Sequence, residues 1–170
     1  MEIRKARPEE YADAGRVTAL AYREFVPPGD RDWTHNDWER YLDELADVAG
    51  RADRTEVYVA VEEGRVLGCV TLELDRTVGD DDAELPPDTS CIRMLGVDPA
   101  ARGVGIGRTL VQACLDRSRR AGKRQVILRT TERMRAAQEL YASMRFDRDE
   151  ERDMVLDNGV RLLAYRMPVT

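Results

Sequence analysis

The chain predicts an α/β fold: one domain over residues 1–170, in which a mixed sheet is flanked by helices. Three observations carry that expectation. Short apolar strands and helix-period segments follow one another in the order β-α-α-β-β-β-α-β-α-β-β. Val126-Ile127-Leu128 is a continuous apolar run, the pattern of a strand covered on both faces. A short glycine-rich turn joins the apolar stretch 91–97 to a strongly amphipathic segment, as in a strand–turn–helix unit.

A first strand is expected at 3–6. Pro8-Glu9-Glu10 suits a helix start, because proline fits the first turn and acids face the positive end of the dipole. That helix packs Val17, Leu20 and Ala21, and Pro27-Pro28-Gly29-Asp30 then breaks the chain. A second helix begins at Thr34, with Asp37 in a capping-box-like position. Its apolar positions Trp38, Tyr41, Leu42, Leu45, Val48 and Ala49 keep helical spacing up to a stop at Gly50. Strands at 57–61 and 66–74 join through Glu63-Gly64, and a loop rich in acids and prolines (79–88) leads to the strand 91–97. The helix after the glycine turn shows two i, i+4 rows, Ile106-Leu110-Cys114 and Val111-Leu115, and ends near Gly122. After the strand 126–128, Ala137, Leu140, Tyr141 and Met144 mark one face of another helix. Strands at 146–156 and 160–167 close the chain around Asp157-Asn158-Gly159, where Asn-Gly suits a type I′ turn.

Composition excludes several functions. The chain has 170 residues, enough for one real core, and no apolar run long enough to span a membrane. Met1-Glu2-Ile3-Arg4-Lys5 lacks the apolar stretch of a signal peptide, so the expected location is cytoplasmic, with no membrane partner. A net charge of -6 argues against nucleic acid as a partner. Cys69, Cys91 and Cys114 form no C-x-x-C pair, so neither a metal site nor a disulfide framework is expected and all three read as packing residues. The basic residues are nearly all arginine, a weak hint of a GC-rich bacterial genome.

Chemistry is concentrated at Asp98-Pro99-Ala100-Ala101-Arg102-Gly103-Val104-Gly105-Ile106-Gly107-Arg108. The first turn of a helix offers free backbone N–H groups and the positive end of the macrodipole, and glycines let the backbone approach an anion. The segment reads as a pyrophosphate cradle. It is not a Walker A loop, since the one Gly-Lys pair, Gly122-Lys123, lies at a helix end. It is not a dinucleotide fingerprint either: the spacing is G-x-G-x-G and an Asp-Pro turn intervenes after the strand.

Arg102-x-x-Gly105-x-Gly107, preceded by Met-Leu-Gly-Val-Asp-Pro, resembles motif A of the GCN5-related N-acetyltransferases, the GNAT family. Ala137-x-x-Leu140-Tyr141-x-x-x-x-Phe146 is similar to that family's closing A-x-x-L-Y-x-x-x-G-F. The resemblance implies an acyl-CoA N-acyltransferase-like fold with a partly splayed sheet, acetyl-CoA as co-substrate and no metal. It implies direct acetyl transfer to a primary amine, on a small molecule or peptide, without a covalent intermediate. It puts the pyrophosphate on the amides of Gly103, Val104, Gly105, Gly107 and Arg108, with Arg102 at the mouth. The pantetheine arm would pair with the backbone of Leu95, Gly96 and Val97, the Val97 N–H facing the thioester oxygen.

By the same resemblance, Tyr141 takes the position of the general acid for the departing thiolate. Its place on an apolar stripe also suits a packing role. Glu73, on the strand 66–74, is the candidate base, with a solvent-facing residue of an alternating strand as the plain alternative. His35 suits a helix cap, and the acids of the 79–88 loop (Asp80, Asp81, Asp82, Glu84) suit a solvated loop. Two positions depart from the family pattern: Met134 replaces an asparagine near the start of the last helix, and Arg145 replaces the glycine before Phe146. They leave open a non-catalytic acyl-CoA-binding regulatory module, or a transferase for longer acyl groups. The oligomeric state stays open, with a homodimer through the closing hairpin or an edge strand as one possibility.

Overall fold

The computed structural model describes residues 1–25, 35–75, 85–156 and 159–170. The helix start at Thr34, the His35 side chain, the loop acids Asp80, Asp81, Asp82 and Glu84, and the Asp157-Asn158 half of the closing turn lie outside the described residues. None of the described helices is long and apolar enough to cross a membrane.

The elements run β1 (Glu2–Lys5), α1 (Tyr11–Arg23), α2 (His35–Ala46), α3 (Val48–Ala52), β2 (Glu56–Glu62), β3 (Arg65–Glu73) and β4 (Thr89–Val97). They continue with α4 (Ile106–Arg120), β5 (Gln125–Thr131), α5 (Arg135–Ser143), β6 (Asp147–Arg148), β7 (Met154–Val155) and β8 (Arg161–Pro168). The strands form one sheet in the order β1-β2-β3-β4-β5-β8-β6, with β7 also on β8. Every pairing is antiparallel except β4 with β5, the two strands that α4 connects. That strand–helix–strand unit sets the cradle at the carboxyl end of a parallel strand, where α/β sheets bind ligands.

Helices cover both faces. On one, Ile106, Leu110, Val111, Cys114 and Leu115 of α4 pack with Tyr58, Val70, Leu72, Val126 and Leu128 of the sheet. The two i, i+4 rows read from the sequence are therefore the buried face of α4, each large side chain contributing about 1.5–3 kcal/mol. On the other face, Ala14 and Val17 of α1 and Val48 of α3 cover Val57, Val59, Val61 and Cys69.

Three local expectations change. Leu20 is 41% exposed and lies on the solvent side of α1, whereas Val17 and Ala21 are buried. The second helix does not run on to Gly50: Asp47 interrupts it and caps α3, its carboxylate accepting from the Gly50 N–H at 2.9 Å. The interruption returns Arg51 toward α2, where its buried guanidinium donates to the Glu44, Leu45 and Asp47 carbonyls and to Thr71 Oγ1. Finally, the strand expected at 146–156 is two short pieces around a 3₁₀ turn at Glu150–Arg152. Asp153 holds that turn to β8, accepting from the Ala164 N–H at 2.7 Å and from Arg148 at 2.9 Å.

Candidate active site

The turn after β4 is built to leave its backbone open. Asp98 caps a 3₁₀ turn, its carboxylate accepting from the Ala100 N–H at 2.9 Å. Gly103 and Gly105 follow at φ 86° and 87°, a left-handed conformation that costs an L residue roughly 1–2 kcal/mol. Among the described residues nothing lies within 4 Å of where a Cβ would stand on either glycine. Residues 102–105 are exposed, and Val104 at the tip is 74% exposed. The amides of residues 103–108 donate no hydrogen bond among the described residues. A run of open N–H groups at the start of a 15-residue helix suits an anion.

The strand leading into the turn parts from its parallel neighbour. β4 pairs with β5 from Thr89 with Gln125 as far as Ile92 with Leu128. Beyond that, β4 runs on to Val97 paired, among the described residues, with β3 alone, while Arg129, Thr130 and Thr131 of β5 pair with β8. A bulge accompanies the parting. Cys69 faces Gly96 and Thr71 faces Arg93, so two steps along β3 match three along β4, and Met94 takes φ 53°. Met94 then packs with Leu42 and Leu45 of α2, while Leu95 and Val97 pack on the α4 side.

Register settles which amides face the gap. The Asp98 N–H donates to the Leu67 carbonyl on β3 at 2.8 Å. Antiparallel pairing alternates, so the Val97 N–H and C=O turn away from β3, toward the side that β5 has left. Gly96 points back to β3 opposite Cys69, and its missing Cβ makes room for α1: a Cβ there would come within 2.9 Å of Thr18 Cα and 3.1 Å of Ala21 Cβ. Gly107 packs toward α5, with Leu140 Cδ2 at 3.4 Å and Val97 Cγ2 at 3.8 Å from its Cβ position. The cradle, the parted strand and the Tyr141 helix thus meet at one place. Arg102 turns from the cradle onto the end of α1, 2.5 Å from Glu24 Oε1, and Arg108 donates to Ser143 Oγ at 2.6 Å.

Tyr141 is buried, its ring 5.7 Å from Phe146 and 5.8 Å from Tyr165. Burial pushes its hydroxyl well above the ordinary tyrosine value, with nearby Tyr165 adding to the effect, so the phenol stays protonated. Tyr22 of α1 is also raised by burial, and both Tyr41 and Tyr141 contribute to its shift. Tyr22 and Tyr41 stack edge to face at 6.2 Å, with Trp38 6.0 Å from Tyr41, on the α1–α2 side.

Glu73 is fully buried, and Arg93 Nη1 donates to its Oε1 at 3.3 Å. It pairs in register with Cys91, one residue before the last β4–β5 pair. The solvent-facing alternative for Glu73 is therefore excluded. Cys69 and Cys114 are buried thiols pushed up by desolvation, which suits packing residues rather than nucleophiles.

Comparison with known proteins agrees with this geometry. The acetyltransferase (GNAT) family matches residues 17–146. The chain belongs to the GNAT family. A mycothiol acetyltransferase of Geodermatophilus obscurus is 33% identical over 134 residues, 78% of this chain but 40% of that protein, so the chain spans well under half of that relative. A GNAT acetyltransferase from Brucella melitensis, solved in complex with acetyl-CoA, is 27% identical with TM-score 0.59, covering 86% of this chain and 82% of that one. The ribosomal-protein-alanine N-acetyltransferase of Brucella melitensis shares the fold at TM-score 0.67 and 21% identity, with 99% of each chain covered.

Sequence reasoning missed Arg93, Arg51 and Tyr22. No motif or spacing marks Arg93 or Tyr22; the register shift in β4 places the first and packing of α1 against α2 the second. Arg51 lies just past the Gly50 stop that periodicity set for the second helix, and in the structure it belongs to the separate α3.

Proposed function

We propose that this chain moves the acetyl group of acetyl-CoA directly to a primary amine. The observation that carries the reading is the run of open amides at residues 103–108, set beside the gap between β4 and β5. When bound, acetyl-CoA supplies an activated acetyl thioester. The amides of Gly103, Val104, Gly105, Gly107 and Arg108 hold its pyrophosphate, and Leu95 and Val97 offer backbone to the pantetheine arm. Gly96 serves that strand by letting α1 approach. The Val97 N–H donates to the acyl oxygen, where one such donor is worth about 3–4 kcal/mol as charge develops.

Tyr141 donates its proton toward the departing sulfur. A phenol held protonated by burial suits that task, because the same dry surroundings make a thiolate more basic. Glu73 receives the ammonium proton, its carboxylate steadied by Arg93. Tyr22 and Tyr41 frame the face from which the amine enters. The buried thiols leave no route through an acyl-cysteine, which supports direct transfer.

The test is release of free coenzyme A thiol with a panel of small amines, amino acids and peptides with free N-termini, using acetyl and longer acyl donors. Turnover with an amine, fastest for the acetyl donor, is expected. Saturable binding without turnover on any amine class overturns catalysis in favour of a binding module.

A further inference from the structure

Arg129 stands where β5 loses β4. The last parallel pair is Ile92 with Leu128, both packed on the α4 side of the sheet. One step further along each strand come Arg93 and Arg129. Side chains alternate along a strand, so both arginines project from the opposite face, the one that α1 and α2 cover. Glu73 shares that face, because it pairs in register with Cys91, two residues before Arg93. Tyr22 and Tyr41 lie close by: burial raises both hydroxyls, and the Arg93 charge opposes the shift in each.

Arg129 is held in place but not neutralised. Its Nε donates to the Arg152 carbonyl at 3.1 Å, which ties it to the 3₁₀ turn that Asp153 fastens to β8. Its Nη1 and Nη2 donate to nothing among the described residues, and the residue is half-buried. The carboxylates placed beside these residues already have guanidinium partners: Glu73 has Arg93, Asp149 has Arg152, and Asp153 has Arg148 and Arg161. On β8 the residue opposite Arg129 is Ala164, which offers only a methyl group. A cation withdrawn from water without a counter-charge is costly, and a bound anion would offset that cost.

We infer that Arg129 receives a carboxylate of the acceptor, so that the amine acetylated here is an amino acid or a similarly small amine bearing a carboxylate. The inference rests on the acetyl-transfer reading, with Glu73 taking the ammonium proton. Across the sheet the order is Glu73 on β3, Arg93 on β4 and Arg129 on β5. A zwitterion matches that order, its ammonium toward Glu73 and its carboxylate toward Arg129. The Nη1–Nη2 edge gives a carboxylate two parallel bonds, a geometry that a lysine lacks.

The experiment is steady-state kinetics with acetyl-CoA on amino acids and their carboxamides, matched pairs that differ only in the carboxylate. It compares the wild type, Arg129→Gln and Arg129→Lys. The wild type is expected to favour the acids at least about tenfold in kcat/KM, since the amide forfeits a charge-assisted pair. Arg129→Gln should bring acid and amide within about threefold, chiefly by raising KM for the acid, and Arg129→Lys should restore part of the preference. Wild-type turnover of amides as fast as acids, or an equal loss on acid and amide in Arg129→Gln, would overturn the inference and leave acetyl transfer standing. Turnover of no amine would overturn both.

Discussion

Replacing Gly105 by alanine separates the strain of the cradle from its function, because a matched control exists in the same chain. Gly105 has φ 87° and Gly64, in the β2–β3 turn, has φ 77°. Among the described residues nothing lies within 4 Å of a Cβ added at either, so neither substitution clashes with them. Each should cost roughly 1–2 kcal/mol for a left-handed L residue. In a domain of this size that lowers the melting temperature by about 2–8 °C. The two differ in what the new methyl group faces. At Gly64 it faces solvent beyond a hairpin; at Gly105 it enters the space above the open amides. Losing one charge-assisted N–H bond to a phosphate costs about 1.5–3 kcal/mol, or about tenfold to a hundredfold in affinity. Thermal unfolding and calorimetric titration with acetyl-CoA on both variants check this. The variants should melt alike, and only Gly105→Ala should weaken binding. Affinities within twofold of each other would refute the anion role assigned to these amides.

Tyr141→Phe should lower turnover about 10²–10⁴-fold while leaving acetyl-CoA affinity within twofold, measured by steady-state kinetics and titration. Arg51→Ala should destabilise by about 3 kcal/mol or more in urea unfolding, since three carbonyls and Thr71 Oγ1 lose a buried donor, and Arg51→Lys should recover only part. The Arg4 fork, at 2.7 Å to each Glu10 oxygen, holds the Glu10 carboxyl at about 2, below its ordinary value. A depressed carboxyl stabilises the fold above the unfolded value, and that stability is lost as pH falls through about 2. Glu10→Gln should therefore flatten the fall in urea midpoint between about pH 4.5 and pH 2, within the window set by these values.

Periodicity and glycine chemistry made much of this fold legible. The i, i+4 rows of α4 are its buried face, and the strand before the glycines ends where the helix dipole begins. Features that depend on tertiary contact were not legible. The bulge at Met94 follows from β4 leaving β5 and answering to α2, and nothing in Cys91-Ile92-Arg93-Met94-Leu95 marks it. Val48 and Ala49 keep the α2 spacing, yet Asp47 breaks the helix because its carboxylate and Arg51 satisfy the backbone better bent than straight. Glu73 sits on a strand whose neighbours alternate in polarity, and the Arg93 guanidinium on β4 pairs with the carboxylate buried there. The missing glycine at 145 was visible in the sequence, but not that the turn keeps its left-handed shape regardless.

The central claim is that the open amides after β4 hold acetyl-CoA. Its most direct test is calorimetric titration of acetyl-CoA into the intact protein, repeated with Gly105→Glu, which fills the cradle with a carboxylate. Saturable one-to-one binding at micromolar affinity or tighter, near -8 kcal/mol, lost in the variant, is the predicted result. Absence of saturable binding to the intact protein, or equal binding by Gly105→Glu, would contradict it.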